Sequence, residues 1–123
     1  MRRWAEYRNA LGRSGEELAA RYLERVGMRV LARNWRAPNG AGEIDIVARD
    51  GPVLVIAEVK TRGSLRHGHP LEAITARKRR RLRLLGRSWA RAHRRRPFPL
   101  RIDGVCVLFD RGRVLLAHER GLR

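Results

Sequence analysis

A chain of 123 residues is one domain long and supports a single core, and with no apolar run of signal-peptide or membrane-spanning length it is expected in the cytoplasm. Its 43% hydrophobic content excludes a chain disordered throughout, and a lone Cys106 inside the apolar run 105–109 excludes an internal disulfide and reads as core. The 29 Lys and Arg against 12 Asp and Glu leave a formal charge of +17, a field that attracts polyanions, nucleic acid first; a membrane surface is the rival, but no basic amphipathic helix carries an aromatic and Leu face free to insert.

The first 11 residues stand outside the predicted elements. Ser14-Gly15-Glu16-Glu17 reads as a capping box, with Ser14 at the N-cap and Glu17 at N3, opening a helix that carries Leu18, Ala19, Tyr22, Leu23 and Val26 and stops at Gly27. Residues 28–36 read as a strand centred on Val30 and Leu31, and Pro38-Asn39-Gly40 as a turn. Strands follow at 43–49 and 52–62 around the hairpin signal Asp50-Gly51. A long helix is predicted over 70–93, ended by Pro97-Phe98-Pro99. A strand at 101–109, a turn at Asp110-Arg111-Gly112 and a short strand ending near His118 complete the chain. The order α-β-β-β-α-β-β, without repeats or a low-complexity linker, predicts one α/β domain over 1–123 with helices packed on a mixed sheet.

A two-residue turn at Asp50-Gly51 would pair Val47 with Leu54, Asp45 with Ile56 and Glu43 with Glu58. One face of that hairpin is then apolar: Ile44, Ile46 and Ala48 beside Val53, Val55, Ala57 and Val59. The other gathers Glu43, Asp45, Glu58 and Lys60 at the end away from the turn. Carboxylates placed so close repel, and a bound divalent cation removes the conflict. Mg²⁺ takes one or two carboxylates together with waters and substrate phosphate, and a Lys two residues after a carboxylate shares its strand face, where it can orient attacking water or offset developing negative charge. An edge hairpin with a solvated charged face would present the same Asp…Glu-x-Lys string.

Two further residues bear on that choice. Glu17 is explained by capping, whereas Glu16 shares its stripe with Ala19, Ala20 and Leu23 and so points toward the core. In the long helix the apolar stripe runs Leu71, Ile74, Leu82, Leu85, Trp89, and Lys78 falls on it, able either to snorkel to the edge or to reach a phosphate at the carboxylates. Between Arg77 and Arg96 there is no acidic residue, and Arg79, Arg80, Arg83, Arg87 and Arg91 are expected opposite the apolar stripe, where phosphate contact would relieve their self-repulsion. The spacings of His67, His69, His93 and His118 match no standard zinc ligand set.

Taken together, Gly12-Arg13-Ser14-Gly15-Glu16, Gly42-Glu43-Ile44-Asp45-Ile46, Glu58-Val59-Lys60-Thr61-Arg62, Gly68, Lys78 and Arg101-Ile102-Asp103 resemble, in order and spacing, the YraN-like family of small predicted endonucleases. The resemblance covers nearly the whole chain after residue 11; His67 and His69 depart from it. That family is similar to archaeal Holliday-junction resolvases, which implies a restriction-endonuclease-like fold and a Mg²⁺- or Mn²⁺-dependent endonuclease acting on DNA, branched DNA by analogy. It implies Asp45 and Glu58 as metal ligands, Lys60 as catalytic base or charge stabiliser and Glu16 as an accessory ligand through water, and leaves Glu43 without a role. A noncatalytic protein binding DNA or RNA is the alternative, and a homodimer is left open.

Overall fold

The computed structural model describes residues 4–7, 13–95 and 99–122. Its elements run β1 (Ala5–Glu6), α1 (Gly15–Arg25), β2 (Arg29–Arg36), β3 (Glu43–Asp50), β4 (Val53–Arg62), α2 (Ala76–Ala92), β5 (Leu100–Asp110) and β6 (Arg113–Glu119), with 3-10 turns at Pro38–Gly40 and Pro70–Ala73. The order expected from sequence is present, with one addition. β1, only two residues long, pairs with β6 at Ala5↔Leu116 and Glu6↔Leu115. Gly12, Arg96, Pro97 and Phe98 lie outside the described residues.

The strands form one sheet in the order β1-β6-β5-β4-β3-β2. Every neighbouring pair is antiparallel except β4 and β5, which run parallel and are joined through α2, as a parallel pair requires a long crossover. α1 covers one face, burying Leu18, Ala19 and Leu23 against Ile46, Val55 and Val105. α2 covers the other, burying Leu82, Leu85 and Trp89 against Val47, Ile56 and Ile102. The two central strands are thus buried on both faces, which is why 53–57 and 105–108 read as continuous apolar runs. Gly86 lets α2 lie this close: a Cβ there would stand 2.7 Å from Ile56 Cγ1 and 2.9 Å from Leu100 Cδ1.

Four expectations are corrected. The helix predicted over 70–93 is two pieces: Ile74 leaves helical geometry at ψ 94°, and Thr75 caps α2 by accepting the Lys78 N–H at 3.1 Å. Thr offers the backbone this side-chain bond in place of a continued helix. The capping box of α1 is half formed: Ser14 Oγ accepts the Glu17 N–H at 3.1 Å, but Glu17 Oε1 turns to Arg13 and Arg21, 3.4 Å from each.

The hairpin turn is Gly51-Pro52, so Asp50 pairs with Val53 and Val47 with Ile56. Gly51 takes a φ of +58°, and the φ of Pro52, locked near −65°, excludes the turn that needs positive φ at both central positions. The shift moves Glu43 away from Glu58 and brings Asp45 level with it.

Finally, Ile44 and Ile46, two residues apart on β3, fall into opposite cores, which a regular strand does not allow. On β2, Asn34 adopts φ +52° between Arg33, paired with Ile46, and Trp35, paired with Ile44. Both strands turn over at this point, and Asp45 occupies it.

Candidate active site

The turnover aims Asp45 toward β4 instead of into either core. The β3–β4 ladder ends at Ile46↔Ala57, and beyond it Val59 N–H donates to Asp45 Oδ2 at 2.8 Å. Glu58 lies beside it on the α2 face of β4, its side chain 7% exposed. Its Oε2 is 3.6 Å from Lys60 Nζ, two residues along the strand, and 3.5 Å from Lys78 Nζ, delivered from the first turn of α2. α1 begins at the same end of the sheet, because Gly15 lies against the Thr61 side chain and a Cβ there would overlap Thr61 Oγ1. That contact brings in Glu16, whose Oε1 is buried and has no hydrogen-bond partner among the described residues.

Asp45 is pushed up to about 6, first by burial, against the lowering hydrogen bond from Val59 N–H, and further by the charge of Glu58, a hydrogen bond shared with Glu58 and the charge of Glu16. Asp45 and Glu58 therefore sit together, Asp45 strained toward its neutral form, and Glu16, with an unsatisfied oxygen, is near enough for its charge to act on Asp45. Their chemistry fits a hard divalent cation, which takes one or two carboxylates and completes its shell with water and phosphate. Among the described residues no three or more His, Cys, Asp or Glu side chains are grouped so as to hold a metal ion, so a cation here would rest on the Asp45–Glu58 pair with water and phosphate.

Asp45, Glu58, Lys60, Lys78 and Glu16 are thus brought together. Glu43 is not: it is exposed and sits 3.5 Å from Arg36 Nε across the β2 edge. Along α2, Arg80, Arg87 and Arg91 are exposed on the outer face. Arg83 is half-buried on its flank, and Arg79 is corrected from the outer face, since its Nη1 donates to Ile74 O at 2.8 Å and fastens the junction before the helix. The histidines are scattered. His67 and His69 line an open cavity of about 630 Å³ after β4, with His69 stacked on Trp4; His93 stacks on Trp89; His118 belongs to a separate network.

That network escaped the reading from sequence, although Arg101-Ile102-Asp103 was noted. Fully buried Asp103 takes Arg101 Nε–H at 2.8 Å and Nη2–H at 3.0 Å, His118 Nε2–H at 2.9 Å and the Gly121 N–H at 3.0 Å. Arg101 continues to Asp50 at 3.0 Å, and His118 Nδ1 to the Tyr22 hydroxyl at 2.9 Å. The period-2 pattern flags Asp103 only as a polar residue in a buried strand; of its partners Arg101 shares that strand, whereas His118 lies on β6 and Gly121 beyond it.

Residues 15–107 match the uncharacterised protein family UPF0102. A UPF0102 protein of Renibacterium salmoninarum is 58% identical over 91% of this chain and 94% of its own length. Others from Paenarthrobacter aurescens and Streptomyces coelicolor are 55% and 51% identical, each over 94% of this chain, and over 94% and 89% of their own lengths. The chain belongs to the UPF0102 family, the YraN-like group that its motifs resemble.

Proposed function

We propose that this UPF0102 protein is a metal-dependent endonuclease that hydrolyses phosphodiester bonds in DNA, branched or junction DNA among its substrates, in the cytoplasm. One observation carries the reading: Asp45 and Glu58 face each other where the β3–β4 ladder has opened, with Lys60 and Lys78 both within 3.6 Å of Glu58. Stability alone gives no reason to set two carboxylates against each other in a half-buried position. Asp45 and Glu58 would hold Mg²⁺ or Mn²⁺, with Glu16 reaching it through water. Such an ion, when bound, supplies a water of lowered pKa and charge stabilisation at the phosphorus oxygens.

The chain's own groups do the rest. The Val59 N–H fixes the Asp45 carboxylate through Oδ2. Lys60 holds a compact positive charge, and a proton to give or take, on the strand face of Glu58. Lys78, at the start of α2, carries a cation to the point where the exposed Arg80, Arg87 and Arg91 would lead a phosphate backbone. The test is cleavage of branched, duplex and single-stranded DNA and of RNA by purified protein with Mg²⁺, Mn²⁺ or EDTA; metal-dependent cutting of DNA that is lost in Asp45→Asn supports the reading.

The alternative is a noncatalytic nucleic-acid-binding protein. The Lys60–Glu58–Lys78 pairing favours it, since two ammonium groups already balance the buried carboxylate. Binding of nucleic acid without cleavage of any substrate would select it.

A further inference from the structure

α2 starts at the carboxylates and ends in an arrangement that the proposed cleavage chemistry does not use. The His93 ring stacks on Trp89 with centroids 4.3 Å apart and planes 20° apart, and it meets Trp35 edge-on at 6.5 Å. His93 Nδ1 lies 2.8 Å from Trp89 O, an acceptor only, so Nδ1 carries a hydrogen and the ring is held in one orientation. Arg95 lies over the same indole at 5.8 Å. Trp89 is buried beneath them, and its Nε1 has no hydrogen-bond partner among the described residues, so packing by itself does not call for an indole there. His93, by contrast, is exposed.

The chain leaves α2 by a Schellman turn: Arg95 N–H bonds Ala90 O at 2.8 Å and Arg94 N–H bonds Arg91 O at 3.1 Å. The residue between, Arg94, holds φ +52°, where glycine is favoured and a bulky side chain is strained. An arginine there, next in the chain to His93, carries a conformational cost that glycine would avoid.

We propose that His93, backed by Trp89, flanked by Trp35 and Arg95 and followed in the chain by Arg94, is a stacking platform for an unpaired base of bound DNA. The inference rests on the nucleic-acid reading above and adds its substrate class: duplex DNA that passes into a single strand. A fixed, exposed imidazole with guanidinium groups around it is the combination that recognises single strands, bases against the ring and phosphates against the cations. From Lys78 to His93 the helix advances about 22 Å, or about six phosphates along one strand. The cleavage site and the platform thus sit at the two ends of one arginine-covered helix, set to hold a strand junction a fixed distance from the cut.

The experiment measures binding of the full chain, in EDTA and moderate salt, to a blunt duplex, the same duplex with a thymidine overhang, and the same overhang built of abasic residues. The base-bearing overhang is expected to bind about tenfold more tightly than the abasic one. His93→Ala should erase that difference and His93→Phe should keep it. Arg94→Gly should weaken overhang binding severalfold while leaving the melting temperature unchanged or higher, which a purely structural arginine would not do. Equal binding of the normal and abasic overhangs, or a base preference that survives His93→Ala, overturns the platform. Cleavage with Mg²⁺ is read separately: a base preference without cleavage sustains the platform and removes the nuclease reading, whereas cleavage without base preference does the reverse.

Discussion

Val59 N–H donates to Asp45 Oδ2 at 2.8 Å at the position where the β3–β4 ladder gives out, so a side-chain carboxylate satisfies an amide that a regular antiparallel ladder would pair with backbone. The same bond fixes the carboxylate opposite Glu58; the burial of Asp45, joined by the charge of Glu58, holds it at about 6. The fold thus keeps a repulsive pair in place with a backbone hydrogen bond.

Asp45→Asn removes the repulsion and retains an Oδ1 able to accept the Val59 N–H. At neutral pH and without metal the variant should be as stable as the wild type or more so, by up to about 2 kcal/mol, which is the roughly 3 kcal/mol of a two-unit upward shift reduced by solvent screening at a part-exposed site. Mn²⁺ or Mg²⁺ should raise the melting temperature of the wild type, because a ligand bound only to the native state stabilises it. The variant should not respond. Thermal denaturation with EDTA and with metal checks both halves; equal metal-induced shifts in the two proteins would remove Asp45 from the metal site.

Asp103 works in the opposite sense. Its burial would raise it, but hydrogen bonds from His118, Arg101 and the Gly121 N–H, with the Arg101 charge, bring it down to about 2. A depressed carboxylate contributes stability above its unfolded value, near 3.9, and loses it as pH falls toward the folded value. The network should therefore contribute about 2 kcal/mol at pH 5 and very little at pH 2. Asp103→Asn should destabilise the protein by about 2–4 kcal/mol at neutral pH, since it removes the charge and leaves one acceptor oxygen and an NH₂ where four donors converge, and should flatten the acid limb between pH 4 and 2. Urea denaturation across that range measures it; an unchanged acid limb in the variant would show that Asp103 is not the group responsible.

Much of this was legible in the sequence because it rests on periodicity and local caps. Ser14 marked α1, the stripe of Leu82, Leu85 and Trp89 marked the buried face of α2, and Glu16 and Lys78 stood out as charges on inward stripes; both now lie at the carboxylates. What failed depended on backbone geometry that no hydropathy pattern encodes. Asp50-Gly51 looked like the turn, but Pro52 takes the second central position and shifts the register by two. The period-2 rule put Ile44 and Ile46 on one face, whereas the positive φ of Asn34 accompanies a turnover that parts them. Glu43 was misplaced by the hairpin register, which puts Asp45 and not Glu43 level with Glu58. Two partners of Asp103 were invisible because His118, backed by Tyr22, and Gly121 meet it only once β6 has paired with β5.

Nucleic-acid affinity should fall steeply with salt and depend little on duplex sequence, with a slope of about −0.9 in log K against log salt for each phosphate contacted. Replacing the exposed Arg80, Arg87 and Arg91 with Ala should each flatten that slope by up to about one contact. Arg79→Ala should behave differently, lowering stability by about 1 kcal/mol through the lost bond to Ile74 O and changing the slope less. Titrations at several salt concentrations, paired with melting curves, separate the two kinds of arginine. An affinity unaffected by salt would remove α2 as a phosphate-binding surface.

Lys60 gives the sharpest test of the chemistry, because the structure allows its removal without exposing an unpaired buried charge. Lys78 Nζ stays 3.5 Å from Glu58 Oε2, so Lys60→Ala leaves the carboxylate with one cation, and the fold should lose no more than about 1 kcal/mol. If Lys60 activates water or offsets charge in the transition state, cleavage should drop by about 10²–10⁴-fold while nucleic-acid binding and metal-induced stabilisation persist. Lys60→Arg should rescue little, since a planar guanidinium that never gives up its proton replaces a compact ammonium. Lys78→Ala should cause a smaller loss, seen more in KM than in kcat, because that side chain comes from the helix that carries the exposed arginines. Single-turnover cleavage alongside equilibrium binding measures all three variants. If Lys60→Ala cuts as fast as the wild type, the ammonium serves only to balance Glu58, and the base or charge stabiliser must be sought elsewhere.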